Sequence, residues 1–164
     1  MSGTQNSERC GFLKRSGAWA SSGNAQFVYV LSAGLVVKVG RATDILRRIK
    51  ALQGGCPNEI TPVLAVGPFD KPTAASIETE LLRAMRSRRT HGEWFSCTVE
   101  QATTLIVSYC MMFVCAGFHV FDGRHKNTVM ACLDLERTAR GRPDDEQVRL
   151  ACDRSSQILS CFKD

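Results

Sequence analysis

The sequence predicts an α/β fold: a small three-stranded mixed sheet flanked by helices, with a helical C-terminal extension. Three observations predict it. Two β-branched runs, FVYVL (27–31) and LVVKVG (35–40), are separated by a few small residues and read as a hairpin. A third apolar run, ITPVLAVGPF (60–69), reads as another strand. The segments around it repeat their apolar residues at helical spacing.

The elements follow in order. Residues 1–23 are rich in Ser, Gly and Asn without periodicity, and are expected to form a flexible arm. After FVYVL, Ser32, Ala33 and Gly34 make a tight turn into the second strand. Residues 42–55 read as a helix capped by Thr43 or Asp44 and closed by Gly54-Gly55, with Ile45, Ile49 and Leu52 on one face. In the third strand, Pro62 favours an early or edge position. Residues 71–89 read as a second helix, capped by Asp70 or Thr73, with a core stripe of Ile77, Leu81, Leu82 and Met85. Four arginines crowd its C-terminal end, where cations suit the helix dipole. GEWFSC (92–97) is a short extended piece and 99–117 a third helix. Residues 119–127 are a strand or loop. Helices at 128–140 and 143–161 follow, the last with Val148, Ala151, Cys152, Ile158 and Leu159 loosely on one side. The expected organisation is a flexible arm (1–23), an α/β domain (24–117) and a mainly helical extension (118–164).

Composition narrows the function classes. The 164 residues are 44% hydrophobic and 23% charged, an ordinary globular balance that excludes disordered, collagen-like and coiled-coil chains. The formal net charge is +5. By block it runs +2 over 1–23, +4 over 24–99 and −1 over 100–164. The positive excess sits mainly in the middle block, where a polyanion could bind.

Eight cysteines are present, with no CxxC pair. The start MSGTQNSERCGFLKRSG has no apolar core typical of a secretory signal. The expectation is therefore a cytoplasmic, intracellular setting with reduced thiols. A zinc site would draw on Cys110, Cys115 and His119, which that spacing does not place on one helical face. Residues 101–121 carry no formal charge and are long enough to span a bilayer. Gln101, Thr103, Thr104, Ser108, Gly117 and His119 lower their hydropathy, so a buried core helix is expected rather than a membrane span.

Three features carry chemistry. Tyr29 and Lys38 each stand out of phase with flanking valines, so the sheet can bury one face and present these two on the other. Lys38 is either a solvated outward residue or a tuned base. Arg41, Arg47 and Arg48 surround the first helix. A guanidinium fork matches phosphate oxygens, although a solvated helix face has the same composition. Glu78 lies beside an apolar stripe. One such carboxylate can hold Mg²⁺ while water and phosphate complete its shell; equally, an acid near a helix start can simply favour the dipole.

Taken together, FVYVL (27–31), KVGRATDILRRIKAL (38–52), IETELLRAM (77–85) and GEWF (92–95) resemble the GIY-YIG nuclease superfamily. The likeness is to a divergent branch common in phage and bacterial genomes, and it covers roughly residues 25–117. The resemblance implies a GIY-YIG-like fold and a DNA endonuclease dependent on Mg²⁺ or Mn²⁺. Tyr29 matches the Tyr of the first motif, and Gly40 ends the second. Arg48 matches the helix Arg that contacts the scissile phosphate. Glu78 matches the metal-binding Glu, with Glu80 as the alternative register. Arg41 matches a frequently basic position. Trp94 and Phe95 read as core anchors. Tyr29, lowered in pKa by Lys38, would orient or deprotonate the attacking water. DNA contacts would come from Arg41, Arg47, Arg83, Arg86, Arg88 and Arg89. The chain departs from the pattern in three places. Lys38 stands where the second motif usually has its Tyr. Leu82 stands where the branch often has His. The C-terminal Asn of typical members is missing. A nucleic-acid-binding module without chemistry, and a protein-interaction or regulatory factor acting through residues 118–164, are the competing readings.

Overall fold

The structure, a computed structural model, describes residues 25–113 and 117–163. The expected arm at 1–23, and Cys115 of the zinc candidate, lie outside the described residues. The elements are β1 (Gln26–Ala33), β2 (Val36–Ala42), α1 (Ile45–Gln53), β3 (Thr61–Phe69), α2 (Lys71–Ala84), β4 (Arg89–His91), β5 (Trp94–Phe95), α3 (Val99–Cys110), β6 (Gly117–Val120), α4 (Lys126–Ala139) and α5 (Glu146–Leu159). Short 3₁₀ turns occupy Arg86–Arg88 and Ser160–Phe162.

The small three-stranded mixed sheet expected from the sequence is not what forms. Among the described residues the sheet has six strands in the order β4-β5-β2-β1-β3-β6, every pair antiparallel, with five α-helices. The physical reason has two parts. The connection through α1 carries β3 past β2 to the far side of β1. Strands β2 and β3 run the same way, but β1 lies between them and pairs antiparallel with both. The three added strands are only three, two and four residues long, too short to show an alternating pattern. Pro62 sits opposite Leu31 next to a register shift in the β1–β3 ladder, before the β6 pairing begins at Leu64, at the strand start and irregular pairing where proline is tolerated.

The central hairpin is buried on both faces. Val28, Val30, Val37 and Val39 join Leu64 and Val66 in a core closed by Ile77, Leu81 and Met85, by Ile106, Val107 and Cys110 of α3, and by Val129 and Leu133 of α4. The other face carries Phe27, Tyr29, Leu31 and Ala65 against Ile45, with Ile49, Leu52 and Trp94 at its margin. The β1–β2 turn places Gly34 at a φ of 63°, a conformation glycine adopts without steric cost.

Four of the five helices are shorter than their apolar patterns predict, while α4 begins two residues before the expected start at 128. Asp44 caps α1 by accepting from the Arg47 backbone N–H at 2.9 Å. Asp70 does the same for α2 through Thr73 at 2.7 Å. The α2 helix stops at Ala84 rather than 89, because Arg88 and Arg89 turn away into other pairings. The Arg88 carbonyl accepts from Ser96 N–H at 2.7 Å, and Arg89 faces Phe95 in the sheet. The uncharged stretch 101–121 divides into the end of α3 and the strand β6. Thr98 and Gln101 build a capping box at the start of α3. Among the described residues no helix is long and apolar enough to cross a membrane. The buried stripe of α5 is Val148, Ala151 and Ser155, with Cys152 exposed instead. Six described cysteines carry free thiols.

Cys110 is fully buried in the larger core, and burial pushes its thiol up to about 12 from 9.0. The unfolded thiol ionises first as pH rises. Stability from this group is therefore complete below pH ~9 and falls above it by about 1.4 kcal/mol per pH unit. Urea unfolding between pH 8 and 11 should show a steep alkaline loss that Cys110→Ala makes shallower by that amount. An identical slope in the variant would rule the linkage out.

Candidate functional site

The site is built where β1 begins and β2 ends. Tyr29 pairs directly with Gly40 across the hairpin. A Cβ placed on Gly40 would lie 2.6 Å from the Tyr29 hydroxyl oxygen and 2.8 Å from its Cζ. The phenol ring therefore lies across the glycine, and the next strand admits no side chain there. The ring itself is buried, and its hydroxyl is hydrogen-bonded by Arg48, which the first turns of α1 bring over the hairpin.

Strand alternation sorts the remaining groups. Lys38 projects to the Tyr29 side of β2, two residues before Gly40. It is only 4% exposed, which corrects the solvated reading. Its ammonium donates to Glu93 Oε2 at 2.6 Å and lies 5.7 Å from the Trp94 ring centroid. Gly92, at a φ of 55°, opens the two-residue β4–β5 turn that carries Glu93. Arg41 projects to the opposite side, toward α2. Its Nε donates to Glu78 Oε2 at 2.8 Å and its Nη1 to Gln26 Oε1 at 2.5 Å.

These two sets share one field. The charges of Glu78 and Glu93 both act on Tyr29 and on Arg48. Burial raises the Tyr29 pKa above its ordinary value of 10.0, and the Arg48 hydrogen bond and charge pull it only partly back. The expectation of a phenol lowered by Lys38 is thereby reversed, and the group that lowers it is Arg48. The hydrogen bond to Tyr29 in turn pushes Arg48 further up, with both carboxylates adding to it. Three cations and two carboxylates leave the cluster with net positive charge while Tyr29 is neutral.

Of the residues singled out in the sequence, Tyr29, Lys38, Arg41, Arg48 and Glu78 are brought together. Glu80 is not; it pairs with Arg83 one helical turn away and its charge acts on Tyr109. Arg47 is exposed on α1. Arg83, Arg86, Arg88 and Arg89 form a separate exposed group, and Arg88 Nε donates to the Cys161 carbonyl at 2.8 Å. Two members of the site escaped the sequence reading. Glu93 lies inside the GEWF motif, next to the residues read as core anchors. Gln26 immediately precedes FVYVL. Among the described residues no group of three or more His, Cys, Asp or Glu side chains is placed to hold a metal ion. A Mg²⁺ that keeps its water needs only one or two carboxylates. Glu78 fits that requirement: its side chain is 19% exposed and its Oε2 is the atom engaged by Arg41.

Residues 26–110 match the T5orf172 domain, a span that begins at β1 and ends with α3. The chain belongs to the T5orf172 domain family. This domain occurs in phage and bacterial proteins and is associated with homing-endonuclease-like and GIY-YIG-like folds. The T5orf172 match contains the whole cluster from Gln26 to Glu93 and gives the chain a nucleic-acid-related setting. No curated protein and no solved structure matches the chain.

The Tyr29–Gly40 contact is testable by itself. Gly40→Ala must displace a buried ring, and overpacking of this kind costs about 1–3 kcal/mol. Urea unfolding should register that loss, and Tyr29→Phe in the same chain should recover part of it by removing the hydroxyl nearest the new methyl. Wild-type stability in Gly40→Ala would show that the ring is free to move.

Proposed function

We propose that this chain is a metal-dependent endonuclease of the GIY-YIG type, hydrolysing phosphodiester bonds in DNA. The observation that carries the reading is the meeting of Tyr29, Arg48 and Glu78 in one electrostatic field at the end of the hairpin. The T5orf172 match over the same residues supports it.

Each residue has a physical role. Arg48 is an exposed guanidinium on α1 whose hydrogen-bond partner is a neutral phenol. Its charge is therefore available to a phosphate, and it neutralises the negative charge that develops on the phosphoryl oxygens. Tyr29 accepts from Arg48 and keeps its own proton at neutral pH, so it orients rather than deprotonates the attacking water. Arg41, itself held by Gln26, holds the Glu78 carboxylate on the α2 side of the site. Glu78 would hold Mg²⁺ or Mn²⁺, which when bound supplies Lewis acidity and compensating charge. Exposed Arg47, Arg86 and Arg89 contribute sequence-independent attraction to the DNA backbone. The six free thiols among the described residues suit a reducing, cytoplasmic setting.

A binding module without chemistry is the second reading, and one contact favours it: the Glu78 carboxylate already has a cationic partner in Arg41. A plasmid-nicking assay in Mg²⁺ or Mn²⁺ separates the two. Glu78→Ala and Arg48→Ala should each lower the nicking rate by roughly 10²–10³-fold, with duplex affinity changed far less in Glu78→Ala. Wild-type protein that binds DNA in a salt-sensitive way but never nicks it would establish the binding module.

A further inference from the structure

We propose that Glu93 is the general base of this reaction, and that Lys38 is its positioning residue. The inference rests on the nuclease reading above and adds to it the group that takes the proton from the water.

Hydrolysis needs a proton acceptor beside the scissile phosphate. Tyr29 is poorly suited at neutral pH, because its buried hydroxyl holds its proton more firmly than an ordinary phenol. Glu78 is held on the α2 side by Arg41. The charge of Glu93, like that of Glu78, acts on both Tyr29 and Arg48. Glu93 differs from Glu78 in two ways. Its side chain is 38% exposed against 19% for Glu78, so water and DNA can reach it. Its carboxylate is fixed from below by a buried ammonium.

That last contact explains an otherwise costly feature. Lys38 is one of the few charged side chains buried in the described structure. An ammonium taken out of water is strongly unfavourable without a partner. Here Glu93 is that partner at 2.6 Å, with the Trp94 ring alongside. Lys38 faces Trp94 in the β2–β5 register, and Glu93 directly precedes Trp94. The sheet itself therefore sets the separation of cation and carboxylate. Glu93 is an acceptor-only group while ionised, and Lys38 engages Oε2, so Oε1 is the oxygen assigned to the water.

The step balances as follows. A water O–H bond breaks and its proton passes to Glu93. The water oxygen bonds to phosphorus as the bond from phosphorus to the leaving oxygen breaks. The leaving oxygen takes a proton from solvent, and Glu93 returns its proton to solvent.

The test compares wild type, Glu78→Ala, Glu93→Gln, Lys38→Met and the Lys38→Met/Glu93→Gln double variant, full length, in the Mg²⁺ nicking assay. Binding to a short DNA duplex is measured in parallel. A general base contributes about 10²–10⁴-fold. Glu93→Gln should lose at least 10²-fold in kcat while binding the duplex within about twofold of wild type, which also shows that it folds. Lys38→Met should be slow as well, and the double variant no slower than Glu93→Gln alone. If wild type nicks, Glu78→Ala does not, and Glu93→Gln keeps the wild-type rate, Glu93 is not the base. Equal, multiplying losses in the double variant would overturn the positioning role of Lys38. Absence of nicking by wild type would overturn the nuclease reading and this proposal with it.

Discussion

The arrangement depends on a phenol ring that occupies the space of a missing side chain. Tyr29 lies across Gly40 in the central hairpin. With any other residue at position 40, the ring would have to leave the sheet surface. The hydroxyl would then no longer meet Arg48. The same pairing sets the register in which Lys38 and Arg41 fall on opposite sides of β2. One steric constraint thus distributes the site's cations between two faces of a sheet.

Burial on both faces makes that distribution durable. A two-stranded hairpin is marginal alone. Here helices cover the valine face, and α1 with Trp94 covers the other. The charged side chains at the hairpin have partners. Lys38 has Glu93, and Arg41 has both Glu78 and Gln26. These contacts are between elements far apart in sequence, so they also tie α2 and the β4–β5 hairpin to the central strands.

Much of this was legible in the sequence. Val28 and Val30 against Tyr29, and Val37 and Val39 against Lys38, announce a hairpin with two chemically distinct faces. Helix starts were readable because Asp44 and Asp70 can cap only where they stand. The sheet beyond the hairpin was not legible. Strands β4 and β5 hold five residues between them and contain Arg, Thr and His, so tertiary pairing rather than pattern makes them strands. Glu93 was hidden for the same reason. Its importance comes from a cross-strand neighbour 55 positions away, which no local periodicity reports. The burial of Lys38 was equally out of reach, because a lysine between valines reads outward until its partner is known. The distinction between Glu78 and Glu80 required the helix register, which three-dimensional contacts to Arg41 and Arg83 resolve.

The pairing of charges also explains how Arg48 stays available. Two carboxylates near an exposed guanidinium would ordinarily capture it, and a bidentate ion pair would leave little charge for a phosphate. Each carboxylate instead has its own cation. Arg41 meets Glu78 through Nε and holds Gln26 with another nitrogen. Lys38, a point charge on a flexible stem, fits beneath Glu93 where a planar fork would not be buried as easily. Arg48 is left with a neutral hydroxyl that satisfies one donor and cancels none of its charge. Positive charge is therefore left on the exposed Arg48, and the acids remain close enough to act on it without neutralising it.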